Sequence, residues 1–394
     1  MKRVAYLIVI LITTMPRPVV AEDPVYFADP NLKAIVEEEL GIPNPTPADM
    51  LALRQLYATS KGIIDLTGLE YARNLALLSL GYNQISDLSP ISGLTNLWYL
   101  CLTGNQISDI SAVSGLTNLT HLCLEGNLIS DISPIAPLTT NLTNLYLCEN
   151  RLSDISAVAG LTNLKVLWLW GNQISNISPL SGLTNLMNLN LNHNQISEIS
   201  ALSGLRNLKF LGLWDNQITD ISPISGLTNL TRLFLLENQL TDIAALSGLT
   251  KLERLYLNSN HITNISAIAG LTHLEWLYLN SNQIGDISVI LGFTNLTELD
   301  IRDNPLEACM YVPTIRANNP WAQIIYDPNP NFFPGDCSGN CQVDFIDFAL
   351  LGAHWLDTTC GEPNNWCGWA DITENGQVGW DDLTQFVANW LVGL

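Results

Sequence analysis

Eleven asparagines recur along this chain at a nearly constant interval: Asn83, Asn105, Asn127, Asn150, Asn172, Asn194, Asn216, Asn238, Asn260, Asn282 and Asn304. Nine of the ten intervals are 22 residues, and the step from Asn127 to Asn150 is 23. A fixed period of that length constrains the fold more than any single motif. One period is too short to bury an apolar face alone, so each unit must stack on the next, which defines a solenoid.

The residue types within one period say how the stack is built. Each copy reads L-x-x-L-x-L-x-x-N, as in Leu97, Leu100, Leu102 and Asn105. The L-x-L core alternates with period two, the pattern of a short strand with one buried face. Neighbouring copies then pair side by side at about 4.8 Å, and eleven strands extend over roughly 48 Å. The asparagine falls where the chain leaves the strand. Its amide both donates and accepts, so it can satisfy backbone groups that the turn leaves unpaired inside the stack. The Q-I-S-D-I-S half returns the chain with its isoleucines buried, and S-G-L-T-N turns it into the next strand. That half is too short for a long α-helix, and 3₁₀ or extended turns are expected on the convex side.

These residues resemble the internalin-type leucine-rich repeat, over about Val25 to Pro330. The resemblance implies an α/β solenoid: a leucine-rich repeat right-handed coil with a parallel sheet on its concave face. The extra residue near Thr139 and Thr140 falls in a turn, where insertions are tolerated.

Before the repeats, Lys2 and Arg3 precede an apolar run from Val4 to Ile12, and Val19-Val20-Ala21 offers a small-residue cleavage site. Residues 1–21 therefore read as a secretory signal peptide, too short to anchor in a membrane. Residues 22–74 read as an N-terminal helical cap: FADPNLKAIVEEELG carries Leu32, Ile35, Val36 and Leu40 at helical spacing, and DMLALRQL reads as a second short helix. The repeats occupy 75–305. Residues 306–334 form a C-terminal cap and linker, and 335–394 a separate small domain. A net charge of −21 argues against nucleic acid or anionic membranes as partners. A hydrophobic content of 47% excludes a disordered chain. Export makes disulfides admissible for the eight cysteines.

The last sixty residues contain a duplication. GDCSGNCQVDFIDFALLGAHWL, from Gly335, aligns with ADITENGQVGWDDLTQFVANWL, from Ala370, at an offset of 35 residues. Each copy is a twelve-residue, oxygen-rich loop running into a helix. Calcium takes six to eight hard oxygens, which an EF-type loop supplies from positions 1, 3, 5, 7, 9 and 12. In the first loop those positions are Asp336, Ser338, Asn340, the Gln342 carbonyl, Asp344 and Asp347. In the second they are Asp371, Thr373, Asn375, the Gln377 carbonyl, a water beside Gly379, and Asp382. Ser338, Thr373 and Cys341 depart from the usual loop residues, while Gly376 keeps the usual glycine.

The tandem unit is similar to a type I dockerin, over Gly335 to Leu391. The resemblance implies a small all-α, calcium-binding domain that docks onto a cohesin-type partner, with calcium as the cofactor. Recognition would fall on loop positions 10 and 11, here Phe345 and Ile346 in one loop and Trp380 and Asp381 in the other. The small hydroxyl pair of the best-known type I dockerins is absent, which leaves the partner open. Cys337, Cys341, Cys360 and Cys367 allow three pairings, of which Cys360–Cys367 is preferred because both lie between the helices. Cys101 and Cys123 occupy one column on neighbouring strands, where a disulfide and two free thiols both remain open.

No catalytic fingerprint is present: no G-x-S-x-G, H-E-x-x-H, phosphate-binding loop or dinucleotide motif. Glu298, Asp300 and Arg302 read as a charged strand face at the solenoid's exit. The open strand face is more informative. Ten of its 33 variable positions are aromatic, where the chain-wide 8% predicts fewer than three. They are Tyr99, Tyr146, Trp168, Trp170, Phe210, Trp214, Phe234, Tyr256, Trp276 and Tyr278. These rings cannot join the leucine core, so they are exposed or stack on one another, and exposed aromatic clusters mark binding surfaces. Asn188, Asn190, Asn192 and His193 make a polar coil between Trp170 and Trp214. The sequence thus reads as a secreted, non-catalytic binding protein, with an extracellular protein or glycan on the concave face. The alternatives are a subunit of a polysaccharide-degrading assembly and a structural surface-layer component.

Overall fold

The computed structural model describes residues 22–306 and 308–327, then 348, 349, 351, 353, 370, 372 and 377–392. The chain forms two compact units, Met1–Asn127 and Leu128–Leu394.

In the first unit the cap opens with helix α1, Pro30–Leu40, which buries Leu32 and Val36. Asp29 caps it by accepting the N–H groups of Asn31 and Leu32 at 2.8 and 3.2 Å. Gly41 closes it in the left-handed conformation, φ 66°. A single turn, α2 (Pro47–Met50), follows, held by a capping box between Thr46 and Asp49. Here the structure corrects the sequence reading of DMLALRQL as one helix. The helix stops at Met50, and Gln55–Tyr57 is strand β1, paired in parallel with β2, Leu77–Ser79. Leu53, Leu56 and Ala58 are all buried. Their spacing matches Leu75, Leu78 and Leu80, so this segment is a degenerate repeat strand. An L-x-x-L spacing suits a helix equally well, and only the partner strand decides between them.

Strands β3 (Tyr99–Cys101) and β4 (His121–Cys123) continue the parallel order of the first unit. The second unit carries β5 (Asn144–Tyr146), β6 (Val166–Trp168), β7 (Asn188–Asn190), β8 (Phe210–Gly212) and β9 (Arg232–Phe234). It continues with β10 (Arg254–Tyr256), β11 (Trp276–Tyr278), β12 (Glu298–Asp300) and β13 (Gln323–Ile325), each parallel to its neighbours. Every strand has three residues, and in the repeats the central leucine is always buried, joined by the last residue in β4, β8 and β12. The return half of each coil is a 3₁₀ turn, such as Ser133–Ile135 or Ser222–Ile224, in line with its expected brevity.

The asparagine ladder closes the coils. Asn105 donates from Nδ2 to the carbonyls of Leu102 at 2.9 Å and, one coil earlier, Leu80 at 3.1 Å, while its Oδ1 accepts Ile85 N–H at 3.0 Å. Asn172 repeats this with Leu169, Leu147 and Leu152. A second ladder lies in the S-G-L-T-N turns and is not evident from the period alone. Asn185, Asn207 and Asn229 donate to the carbonyls of Thr162, Thr184 and Arg206 at 2.8–3.0 Å. On the return half the aspartate of Q-I-S-D-I-S accepts the N–H of the serine two residues on, as Asp131 does from Ser133 at 2.8 Å.

The last repeat is followed by one helix and one strand. Helix α3, Val312–Asn318, buries Val312 and Ile315. Asn319, 3% exposed, accepts Leu296 N–H and donates to the carbonyls of Phe293 and Ile315. Nearer the C-terminus, helix α4 spans Trp380–Val392, and Phe386 packs with Val378, Leu351 and Ala370. Among the described residues no helix is long and apolar enough to cross a membrane.

Candidate functional site

In a three-residue strand with a buried centre, the first and last residues project from the open face. The last residues of β5 to β12 make one row, in order Tyr146, Trp168, Asn190, Gly212, Phe234, Tyr256, Tyr278 and Asp300. The first residues make a parallel row containing Asn188, Phe210 and Trp276. Two residues beyond each strand lies a third row, with Trp170, Asn192 and Trp214.

All nine aromatic residues expected in this unit are half-buried. Six of them make ring contacts with one another. Tyr146 meets Trp168 edge to face at 5.3 Å, Phe210 meets Phe234 at 5.3 Å, and Phe234 meets Tyr256 at 4.5 Å. Tyr256 and Tyr278 are stacked at 4.6 Å with planes 9° apart. Arg254 lies 4.2 Å above the Trp276 ring. Aromatics at strand spacing stack because consecutive coils place them within ring-contact distance.

The row is interrupted at Asn190 and Gly212, and this break has its own construction. A Cβ on Gly212 would stand 2.6 Å from Asn192 Oδ1 and 2.9 Å from Asn190 Oδ1, so any larger residue must displace one or both amides. Both amide oxygens are held by backbone. Asn190 Oδ1 accepts Asn192 N–H at 3.1 Å, and Asn192 Oδ1 accepts Trp214 N–H at 2.9 Å. Among the described residues no hydrogen bond is made by their NH₂ groups. The indole N–H groups of Trp168 and Trp214, on either side, are buried without a hydrogen-bond partner among the described residues. His193 packs on Trp214 at 4.2 Å, and its Nδ1 is 2.7 Å from Asp215 Oδ2. The sequence located Trp168, Trp214 and the polar coil between them. It did not mark Gly212 or the His193–Asp215 pair, because neither carries a periodic or compositional signal.

The charged exit is internally hydrogen-bonded. Tyr278 donates its hydroxyl to Glu298. Asp300, 2% exposed, receives Arg302 Nη2 at 2.6 Å and Nε at 3.0 Å. Burial and the Glu298 hydrogen bond push the Tyr278 phenol up, and burial does the same to Tyr256. Carboxylates engaged in this way are not placed as an acid–base pair.

In the first unit, Tyr99 and His121 have ring centroids 5.9 Å apart. Beside them Cys101 and Cys123 are directly opposed. Burial holds the His121 imidazole below its ordinary range.

Of the calcium-loop residues, Gln377 and Asp382 are described; the other candidate ligands, with Phe345, Ile346 and the four cysteines of that region, lie outside the described residues. Asp382 is fully buried and accepts Gly379 N–H at 2.7 Å. A carboxylate fixed at the loop's end, where α4 begins, fits the last ligand position for a hard cation. Trp380 is 75% exposed, and Asp381 is also exposed. No group of three His, Cys, Asp or Glu side chains suited to a metal occurs among the described residues.

The model of the family described as Leucine Rich repeats (2 copies) matches residues 73–112, 99–137, 140–182, 162–204, 184–226, 206–248, 228–270 and 272–309, more than half of the sequence. The chain belongs to the leucine-rich repeat family. Among solved structures it is similar to the internalin InlF of Listeria monocytogenes, at 34% identity over 78% of this chain and 94% of that one, with a TM-score of 0.74. It is also similar to internalin C2 of the same organism, at 38% identity over 56% of this chain and 99% of that one, TM-score 0.52. The plant peptide hormone receptor RGFR1 in complex with RGF2 shares the fold, at 23% identity over 66% of this chain and 52% of that one, TM-score 0.54. No curated protein matches the chain.

Proposed function

We propose that this chain is an exported, non-catalytic binding protein that seats an extracellular protein ligand on the open sheet face of its second unit. One observation carries the reading: the break in the aromatic row at Asn190 and Gly212, flanked by the two unpartnered indole N–H groups. A buried donor without a partner costs about 1–3 kcal/mol, so a ligand that brings acceptors, once the indoles turn toward it, gains what the free protein lacks. Aromatic anchors around amide groups are also the composition of protein-binding hot spots. A glycan is the second candidate ligand. It is less favoured because a sugar ring needs an open aromatic face, and the stacked Tyr256 and Tyr278 each cover one face of the other. The plant receptor, whose structure holds RGF2, supports a peptide-like ligand on this fold.

The N-terminal apolar run supports export, and the duplicated loops support a tether. Asp336, Ser338, Asn340, Gln342, Asp344 and Asp347 would hold one calcium ion. Asp371, Thr373, Asn375, Gln377 and Asp382 would hold a second. Bound calcium would neutralise and cross-link the loop oxygens. The docking residues would be Phe345, Ile346, Trp380 and Asp381, facing a cohesin-type partner.

The test is a screen of extracellular proteins and glycans with the wild type and the triple variant Trp168→Ala/Trp170→Ala/Trp214→Ala. A protein ligand should lose about 2 kcal/mol or more of binding in the folded variant. If the folded variant keeps every interaction, the recognition surface lies elsewhere. If only glycans bind and the variant loses them, the ligand class is wrong.

A further inference from the structure

Cys101 and Cys123 are the last residues of β3 and β4 and are in-register partners on adjacent parallel strands. Both therefore leave the sheet on the open face, away from Leu100 and Leu122, which are fully buried. Adjacent strands run about 4.8 Å apart, and a disulfide spans Cα separations of about 4.4–6.8 Å. Both side chains are free thiols.

The two thiols differ in access and in charge. Cys101 is half-buried, whereas Cys123 is 9% exposed. The hydrogen bond from Cys123 pushes the Cys101 thiol down to about 5 against the penalty of burial, with the Thr103 hydroxyl, 3.5 Å from its Sγ, adding to the effect. The Cys123 thiol is pushed up by the same partner. Tyr99, His121 and Glu125 are the neighbouring titratable groups on β3, β4 and the residues beyond. Burial and the two thiols hold the Tyr99 phenol in its protonated form. Glu125 accepts the Thr103 hydroxyl at 2.9 Å. Cys148, by contrast, is fully buried, as an inert structural thiol is.

We propose that Cys101 and Cys123 form a thiol–disulfide exchange site, with Cys101 the attacking thiol and Cys123 the resolving one, and a small-molecule disulfide as the co-reactant. In the first step the Cys101 thiolate attacks one sulfur of that disulfide. The disulfide bond breaks, a mixed disulfide forms on Cys101, and one small thiolate leaves and takes a proton. In the second step Cys123 gives up its proton and attacks Cys101 Sγ. The mixed disulfide breaks, the Cys101–Cys123 bond forms, and the second small thiol departs. The protein loses two protons and two electrons, and the co-reactant is reduced to two thiols.

The test uses the full chain, reduced and then exposed to glutathione disulfide at neutral pH, alkylated and mapped by peptide mass spectrometry. The expected product is a Cys101–Cys123 linked peptide. Cys123→Ser should halt at a glutathione adduct on Cys101, and Cys101→Ser should react at Cys123 about tenfold more slowly or less. The wild-type cross-link is read without any variant, so a poorly folded variant does not mask it. Absence of the linked peptide in the wild type overturns the proposal. Equal adduct rates in the two single variants overturn the assigned roles.

Discussion

The amide of Asn172 is bonded to Leu152 twenty residues earlier in the chain, its Oδ1 accepting the Leu152 N–H at 3.0 Å. The Nδ2 of the same side chain donates to the carbonyls of Leu147 and Leu169, both at 3.0 Å. One side chain thus satisfies backbone groups of two coils that no water reaches. Asn172→Ala should destabilise the protein by about 1–3 kcal/mol, the cost of leaving such groups unpaired. Asn304 makes the same bonds but is half-buried at the last coil. Asn304→Ala should cost less, because solvent can replace its amide. Urea unfolding of both variants checks the order, and equal, near-zero losses would remove the ladder from the account of how the turns close.

A second prediction comes from the residue before each ladder asparagine. It is left-handed throughout the described coils, from Tyr82 (φ 56°) through Gly104, Glu149, Gly171 and His193 to Asp303. Only glycine takes this conformation without a steric cost, which for other residues is about 1–2 kcal/mol. Gly171→Ala should therefore destabilise by about that amount. Glu237, exposed and at φ 51°, offers the reverse experiment. Glu237→Gly should raise stability slightly, by less than about 1 kcal/mol, since glycine's greater unfolded-state freedom offsets part of the relief. Thermal melts of the two variants should move in opposite directions.

The acid limb of stability has a definite origin. Backbone and hydroxyl hydrogen bonds from Ser89, Ser133, Ser222 and Ser288 hold Asp87, Asp131, Asp220 and Asp286 below the ordinary value of 3.8. For Asp29 burial acts to raise the value, but the N–H groups of Ile64, Leu32, Asn31 and Asp65 outweigh it. In each case the unfolded chain takes up protons first as pH falls, so the stabilisation is present above the unfolded value and is lost as pH drops through the folded one. Stability measured by urea unfolding should be flat near neutrality and fall below about pH 4. Asp131→Asn keeps the acceptor and removes the titration, and should make that fall shallower. Asn176, which accepts Ser178 N–H at 3.0 Å in the equivalent place, shows that the turn accommodates the amide. An unchanged acid limb in a multiple Asp→Asn variant would assign it to other groups.

The repeat made most of this fold legible in advance. Leu97, Leu100 and Leu102 state a strand with a buried face, and Asn105 states a turn, because each position obeys one physical demand repeated eleven times. Legibility fails where that redundancy ends. Leu53 and Leu56 occur once, in a cap, and their spacing serves a helix or a strand equally. At the candidate site the sequence located the rings but not their mutual cover, since half-burial depends on which neighbour lies across the strand gap. Gly212 is informative only once Asn190 and Asn192 are seen to fill the space that its missing Cβ leaves.

Metal dependence can be tested on the full chain. Calcium should raise the stability of the C-terminal segment, because a ligand held only by the folded state stabilises it. Calorimetric titration should show up to two sites, and Asp336→Ala with Asp371→Ala should abolish them. Neither heat nor stabilisation at millimolar calcium would remove the metal from the account of residues 335–394.

The half-burial of the aromatic row changes what truncation should do there. Rings standing free in solvent would be removed at almost no cost. Here Tyr256 and Tyr278 cover each other at 4.6 Å, so each alanine substitution should cost more than a surface change and less than the roughly 3–5 kcal/mol of a fully buried aromatic. A double-mutant cycle over the pair should return a coupling of about 0.5–1.5 kcal/mol. Gly212→Ala probes the break in the row differently. The added methyl group must displace Asn192 Oδ1, which it would meet at 2.6 Å, and so breaks the bond to Trp214 N–H. The protein should remain folded at a loss of about 1–3 kcal/mol, with ligand affinity falling further than it does for Tyr278→Ala. If Gly212→Ala binds as well as the wild type while Tyr278→Ala does not, the ligand sits on the stacked tyrosines and not at the break.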